Sequence, residues 1–407
     1  MAAYVTELEL ANGLHDHKVP HDYSSALVLL RRNGHPLGTV RVPCVNGILL
    51  GSHVRAAIET QGDLVWTLSQ AMLSDWLMQH HDEKPDALPT WSVVICTRNR
   101  TADLKRCLDA LQNIHTPGGE IIVVDNAPSD DSTAQLVAHY PVRYVREDRP
   151  GLNWARSHGA RVANGQIVIY TDDDVVVDAG WVAGILEPFN NPRVGAVTGL
   201  TMPLELETEA QELFESYGGF GRGFRRKVFD YTVIAPSAAG MVGAGANMAI
   251  RRDLITRMQL FDAELDCGTV ARTGGDAYAF YQLLAEGYQI VYTPDALVWH
   301  RHRRDYASLR VTLADYSVGG YAFLMRCWLL HGDWQALAVG ASWFRYDHLR
   351  QLKTTLRRRP HRLPLDLVLV QIRGVFRAPK AYFASRKRER ALQPTLAGGF
   401  ETVGGQP

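Results

Sequence analysis

Three consecutive carboxylates, Asp172, Asp173 and Asp174, end the apolar run Ile167–Tyr170 in IVIYTDDDVVV. Like charges held this close repel, so each carboxylate disfavours ionisation of the next. A divalent cation removes that cost, and oxygen donors suit magnesium, manganese or calcium. A solvated acidic turn is the plainer alternative, and the rest of the chain has to decide between them. Thr97, Arg98, Asn99 and Arg100 follow the apolar SVVIC, and Asp125 and Asn126 end EIIVVDN. Asp276 follows Gly274-Gly275 and opens an amphipathic helix, where an Asp also fits a plain capping role. His300 and His302 alternate with Arg in WHRHRR. Two residues apart in an extended stretch they share a face, which makes them candidate metal ligands.

The elements around these residues alternate between two periods. SVVICT (92–97), EIIVVDN (120–126), VRYVRE (142–147), the run into the Asp triplet and VGAVTGLTMP (194–203) read as strands. Helical spacing follows each: Leu104, Leu108, Leu111 and Ile114 after a Thr101 cap, then segments near 132–139, 153–163 and 181–189. GAGANMAIRR (243–252) and QIVYTP return to strand character. The alternation predicts an α/β fold, a mainly parallel twisted sheet flanked by helices. Ligands of such sheets bind beyond the carboxyl ends of the strands. Three polar strand ends (Thr97–Arg100, Asp125-Asn126, Asp172–Asp174) therefore describe a site, which argues against the solvated turn.

Residues 1–88 predict a small α+β unit of unknown role, with a hairpin turning at Asn33-Gly34 and helices capped by Ser52 and Asp63. A polar, Pro-containing linker follows at 80–89. The unit that carries the candidate site spans 89–305, a helical region 306–392, and 393–407 reads as a flexible tail. The Gly-rich YGGFGRGFRRK (217–227) is either a loop that orders on substrate or a plain connection. At 407 residues and 46% hydrophobic, the chain is long and apolar enough for a large core, which excludes a disordered protein. Formal net charge is zero, yet residues 345–390 carry 14 Lys/Arg against three acids, a net +11 balanced by −11 elsewhere. That basic region, with the apolar LPLDLVLVQIRGVF inside it, suits an anionic membrane surface; a buried helix with a solvated basic tail is the alternative. No uninterrupted apolar stretch reaches the length of a membrane-crossing helix, and the N-terminus lacks a signal pattern. The five cysteines are scattered, without a C-x-x-C pair, and read as reduced, mostly buried thiols of a cytoplasmic protein.

Taken in order, SVVICTRNR, EIIVVDNAPSDDST, GLNWARSHGARVANG, YTDDD, GAGANMAIRR, TGGDAYAFYQLLAEGY and WHRHR resemble the family 2 glycosyltransferases of GT-A fold over roughly residues 91–320. The resemblance implies inverting transfer of a sugar from a nucleotide-diphosphate sugar to an acceptor hydroxyl, with Mn2+ or Mg2+ as cofactor. It implies that Asp172 and Asp174 form a D-x-D element, Asp174 as direct metal ligand and Asp172 shared between metal and ribose. Thr97, Arg98, Arg100, Asp125, Arg156, Asp172 and Asp173 become nucleotide-sugar contacts, Asp125 through the base; Asp173 is the triplet member closest to a purely structural role. His300 becomes a further metal or diphosphate ligand. Asp276 becomes the general base. Gly275 stands where the family has Glu, Tyr278 where an acidic residue is frequent, and Cys96 where Pro is usual. The acceptor would be a glycan, a lipid-linked sugar or a small molecule; no nucleic-acid partner is expected.

Two other readings compete. A non-catalytic sugar-nucleotide-binding relative would explain the missing Glu. DDDVV also fits the D-x-D-x-V of a haloacid-dehalogenase-type phosphatase with a nucleophilic first Asp. That fold carries its motif on the first strand, whereas several βα units precede it here.

Overall fold

The computed structural model describes residues 2–78, 88–217, 219–359 and 362–392. Apart from residues 88 and 89, the expected linker lies outside these, as does the expected tail at 393–407.

The N-terminal unit holds β1 (Ala3–Glu9), β2 (His17–Lys18), β3 (Ser25–Arg32), β4 (His35–Pro43), β5 (Ile48–Leu49), α1 (Gly51–Glu59) and α2 (Gly62–Met78). Strands β3 and β4 form the hairpin, and Asn33 (φ 52°) and Gly34 (φ 80°) supply the two positive angles that a tight two-residue turn requires. Neither Ser52 nor Asp63 is a cap: α1 and α2 each begin a residue earlier, at Gly51 and Gly62, and Leu50 at the N-cap of α1 contributes no side-chain hydrogen bond.

The central unit runs β6 (Trp91–Thr97), α3 (Thr101–Leu111), β7 (Gly119–Asn126), α4 (Ser132–Val137), β8 (Arg143–Glu147), α5 (Leu152–Val162), β9 (Ile167–Asp172), β10 (Val175–Val177), α6 (Trp181–Leu186), β11 (Val194–Pro203), α7 (Glu209–Tyr217), β12 (Lys227–Phe229), β13 (Asn247–Arg251), α8 (Arg252–Met258), α9 (Gly275–Ala285) and β14 (Gln289–His300). Its sheet has the order β10-β14-β11-β13-β9-β6-β7-β8, with β12 also on β14. The longest ladders are parallel: β6 with β7 and β9, β7 with β8, and β11 with β14. β13 runs antiparallel between β9 and β11, so the sheet is mixed but mostly parallel. Side chains alternate between two cores, as the pleat dictates. Val94, Val124, Val168 and Tyr170 enter one, and Val93, Ile95, Val123 and Ile169 the other.

The N-terminal sheet packs on the β11–β14 edge. Leu29 joins Leu200, Met202, Tyr292 and Leu297 in one apolar cluster. Arg31 pairs with Asp178 at 2.5 Å and Arg41 with Glu212 at 2.7 Å across the same seam.

Beyond β14 come α10 (Tyr306–His331), α11 (Gln335–Trp343), a π-helical turn (Phe344–His348), α12 (Leu349–Leu356) and α13 (Leu365–Leu392). α13 packs along α10, burying Leu367, Val368, Ala378 and Tyr382. Among the described residues no helix is long and apolar enough to cross a membrane.

Candidate active site

Strand register brings the acidic triplet together with residues far away in sequence. In the β6–β9 ladder Cys96 lies opposite Asp172, which sets Thr97 beside Asp173. The Thr97 hydroxyl donates to Asp173 Oδ2 at 2.7 Å. Arg100, just past β6, donates to Asp173 at 2.6 Å and to Asp174 at 2.9 Å. Thr101 therefore opens α3 rather than capping it; Arg100 holds the cap position and turns its side chain to the triplet. The β10–β14 pairing sets Val175 opposite His300, which carries the imidazole to Asp174, Nε2 to Oδ1 3.3 Å.

These groups line a cavity of about 510 Å³ with Arg98, Asn126, Gly151, Cys267, Arg303 and Tyr316. Burial raises the pKa of Asp172, and Asp174 beside it adds to the shift. Burial likewise pushes Asp173 up to about 7 against the pull of Arg100. Burial opposes ionisation of Asp174 too, yet His300 and Arg100 together hold it below the usual carboxylate range. Asp172, Asp174 and His300 each offer a ligand atom, all within 4.8 Å of one another. Two carboxylates and an imidazole in that span suit a manganese- or magnesium-sized ion.

His302, expected with His300 as a candidate metal ligand, instead orients His300, together with Glu215 and Phe220, which sequence reasoning missed. His302 Nε2 lies 2.7 Å from Glu215 Oε1, and His302 Nδ1 lies 3.0 Å from His300 Nδ1. A carboxylate only accepts, so His302 carries its proton on Nε2 and, with burial favouring its neutral form, presents a lone pair from Nδ1. His300 then donates from Nδ1; its cationic form also donates from Nε2 to Asp174, whereas the neutral form that a metal ligand requires presents an Nε2 lone pair there. Phe220 packs on this pair, its ring centroid 4.9 Å from that of His300. Part of YGGFGRGFRRK is thus a wall of the cavity. Glu215 lies 87 residues from His302, and only the fold joins them.

Arg156, on α5, is buried with a guanidinium nitrogen 4.0 Å from Asp172 Oδ1. A side chain at Gly245 would meet both Arg156 and Asp276, its Cβ 2.5 Å and 3.1 Å from their polar atoms, so the three lie together. Asp276 is half-buried in the first turn of α9 and does not cap it; Gly274 (φ 110°) holds that position. The Gly245 N–H donates to Asp276 Oδ2 at 2.8 Å. The departures at 275 and 278 have physical causes. A Cβ at Gly275 would lie 2.1 Å from Asn153 Nδ2 and 2.7 Å from the Leu265 carbonyl, so no Glu fits. Tyr278 is buried, its hydroxyl bonded to His331 at 2.8 Å.

Asp125 is fully buried behind the cavity wall that Asn126 forms, and its Oδ2 accepts from the Tyr144 hydroxyl at 2.9 Å. Asn126 in turn accepts from Gly151 N–H and donates to the Arg149 carbonyl, fixing the loop into α5. Gly151 has φ 149°, and a Cβ there would sit 2.6 Å from Asp266 Oδ2. Gly151→Ala is expected to destabilise the fold by about 1–3 kcal/mol, the usual scale of a forced backbone strain, read as a lower midpoint in thermal unfolding. The cysteines are less buried than expected: Cys107 and Cys327 are buried, Cys44 and Cys96 partly so, and Cys267 is exposed at the cavity.

Residues 92–256 match the family described as Glycosyl transferase family 2. Polypeptide N-acetylgalactosaminyltransferase 13 of Rattus norvegicus is 29% identical over 153 residues, 33% of this chain and 27% of the relative. The match thus spans about a quarter of that relative's length. Glucosyl-dolichyl phosphate glucuronosyltransferase of Haloferax volcanii is 22% identical over 230 residues, 52% of this chain and 68% of the relative. Among solved structures, a mannosyltransferase from Pyrobaculum calidifontis in complex with GDP-Man and Mn2+ superposes with TM-score 0.49 at 20% identity, covering 77% of this chain and 94% of that one.

Proposed function

We propose that this protein, whose residues 92–256 match Glycosyl transferase family 2, transfers a sugar from a nucleotide-diphosphate sugar to an acceptor hydroxyl by a single in-line displacement with inversion. The observation that carries this reading is the convergence of Asp172, Asp174 and His300 in one cavity with Arg98, Arg100 and Thr97. Asp174 and His300 would hold the divalent ion, with Asp172 shared between it and the donor ribose. Such an ion, manganese or magnesium, screens the charge that grows on the departing diphosphate. Arg98 lies exposed on the cavity wall, where a guanidinium can meet phosphate oxygens. Arg100 serves the site by fixing Asp173 and Asp174, and Thr97 by fixing Asp173. Arg156 lies between Asp172 and Asp276 and offsets their charge on the way to the base. Asp276 takes the acceptor proton. Asp125 supports the nucleotide end from behind Asn126.

We place the reaction in the cytoplasm at the inner face of the plasma membrane; five free thiols agree with a reducing compartment. The acceptor is a glycan, a lipid-linked sugar or a small molecule.

The test is a panel of nucleotide-diphosphate sugars screened for thermal stabilisation with and without Mn2+. One donor is expected to raise the unfolding midpoint only with metal, by the equivalent of about 2.7 kcal/mol at a hundredfold excess over Kd. Hydrolysis of simple phosphomonoesters without nucleotide binding would instead favour a phosphatase and sink the proposal.

A further inference from the structure

The outward face of α13 is built the wrong way round for a helix in water. Its inward face packs on α10 through Leu367, Val368, Ala378 and Tyr382. Yet Leu365, Leu369, Phe376 and Phe383 are also exposed, Phe376 at 72% and Phe383 at 54%. Steps of four and seven residues place these four on one side of the helix, a line of about 27 Å at 1.5 Å per residue. Arg373, Lys380 and Lys387 are exposed at the intervening positions of the same side.

This line runs into a second feature. The Phe376 ring contacts Phe344, centroids 6.1 Å apart. Phe344 starts the π-helical turn whose next residues, Arg345 and Tyr346, open a cavity of about 350 Å³. Arg350, Lys353, Thr354, Arg357 and Arg359 complete its lining, which contains no acid. Among the described residues none of its five cations lies within ion-pair distance of an acid, although the Arg350 charge acts on Asp347 of the same turn. Unpaired cations this close repel one another, and an anion in the cavity relieves that.

We propose that the cavity and the α13 stripe together form one docking surface for an anionic lipid bilayer, phosphate headgroups entering the basic cavity and α13 lying in the plane of the interface. The combination selects this occupant. A bilayer surface offers negative charge and an apolar layer within one side-chain length, and the two parts of the surface present the complements of both. A nucleic acid supplies phosphates but no medium for Leu365 and Leu369. A second copy of the same surface would bring like charges face to face. The surface lies outside the proposed transfer site, so vesicle binding can be read without donor or acceptor.

The test is sedimentation of the full chain with phosphatidylcholine vesicles, with and without 30% phosphatidylglycerol. At least tenfold stronger binding to the anionic vesicles is expected, falling steeply with added salt. Arg350→Glu with Lys353→Glu should remove the preference for anionic vesicles. Phe376→Ser with Phe383→Ser should weaken binding at least tenfold at low salt, with the thermal midpoint unchanged. Equal sedimentation with and without anionic lipid would overturn the proposal. So would binding that survives both pairs of substitutions, or an oligonucleotide binding as tightly as vesicles with no dependence on Phe376 and Phe383. If the unaltered protein fails to bind anionic vesicles while a nucleotide sugar still stabilises it, the docking surface and the membrane placement fall and the proposed transfer stands; vesicle binding without nucleotide-sugar stabilisation would overturn only the proposed transfer.

Discussion

Asp276→Asn is expected to cut sugar transfer at least about 100-fold, the scale of losing a general base, while the protein still folds and still binds its donor nucleotide. The hydroxyl of an acceptor attacks poorly until its proton is taken, and an amide cannot take it. The structural cost of the change is small and calculable in kind. Asp276 accepts two backbone hydrogen bonds, from Gly245 N–H at 2.8 Å and from Ala277 N–H at 2.9 Å. Asn keeps one acceptor oxygen and turns a donor towards the other N–H, so one bond is lost, about 1 kcal/mol. Arg156 also loses one of the three carboxylates, Asp172, Asp266 and Asp276, whose fields support it. A modest fall in melting temperature with unchanged Mn2+-dependent nucleotide stabilisation is therefore the expected background. Single-turnover transfer with the donor identified by the screen gives the decisive number. An Asn variant that transfers near the wild-type rate would remove Asp276 from the mechanism and leave Arg156 and the Asp triplet as a binding site only.

The acidic triplet, its strand and the polar strand ends were legible because the signal is local. An apolar run that stops at charge marks a buried strand entering a site, and β6, β7 and β9 all end that way. The α/β alternation was legible for the same reason. Strand direction was not: the residues of β13 read as any apolar strand, and nothing in them states that the strand runs antiparallel between β9 and β11. Capping was over-read at Ser52, Asp63, Thr101 and Asp276, because residue type names candidates while the chain path into the helix chooses among them. Gly275 in place of Glu read as a loss, whereas Asn153 reaching from α5 closes that position to any side chain. For the basic C-terminal region the two sequence alternatives were both partial: α13 buries one face on α10 and exposes apolar residues on the other. A hydropathy profile sums over both faces and cannot separate them.

Asp174→Asn and Glu215→Gln should form a graded pair in metal affinity. Asp174 is a direct candidate ligand, 5% exposed and 3.3 Å from His300 Nε2. Its amide analogue keeps the volume but loses the charge, so Mn2+ affinity should fall by more than the roughly 10–100-fold that loss of an outer hydrogen-bond partner costs. Glu215 touches no ligand atom; it holds His302, and His302 holds His300. A Gln there can turn either its oxygen or its amide group towards His302 Nε2. The amide orientation would reverse both tautomers and put a proton on the His300 nitrogen that faces Asp174. Glu215→Gln should therefore weaken Mn2+ binding within that 10–100-fold range, and Glu215→Asp should recover part of it. The readout is the free-Mn2+ electron paramagnetic resonance signal in a titration without nucleotide, which a general loss of stability would not move while the protein stays folded. If Glu215→Gln binds Mn2+ as the unaltered protein does, His300 is not oriented through His302. If Asp174→Asn does so as well, the metal site lies elsewhere in the cavity.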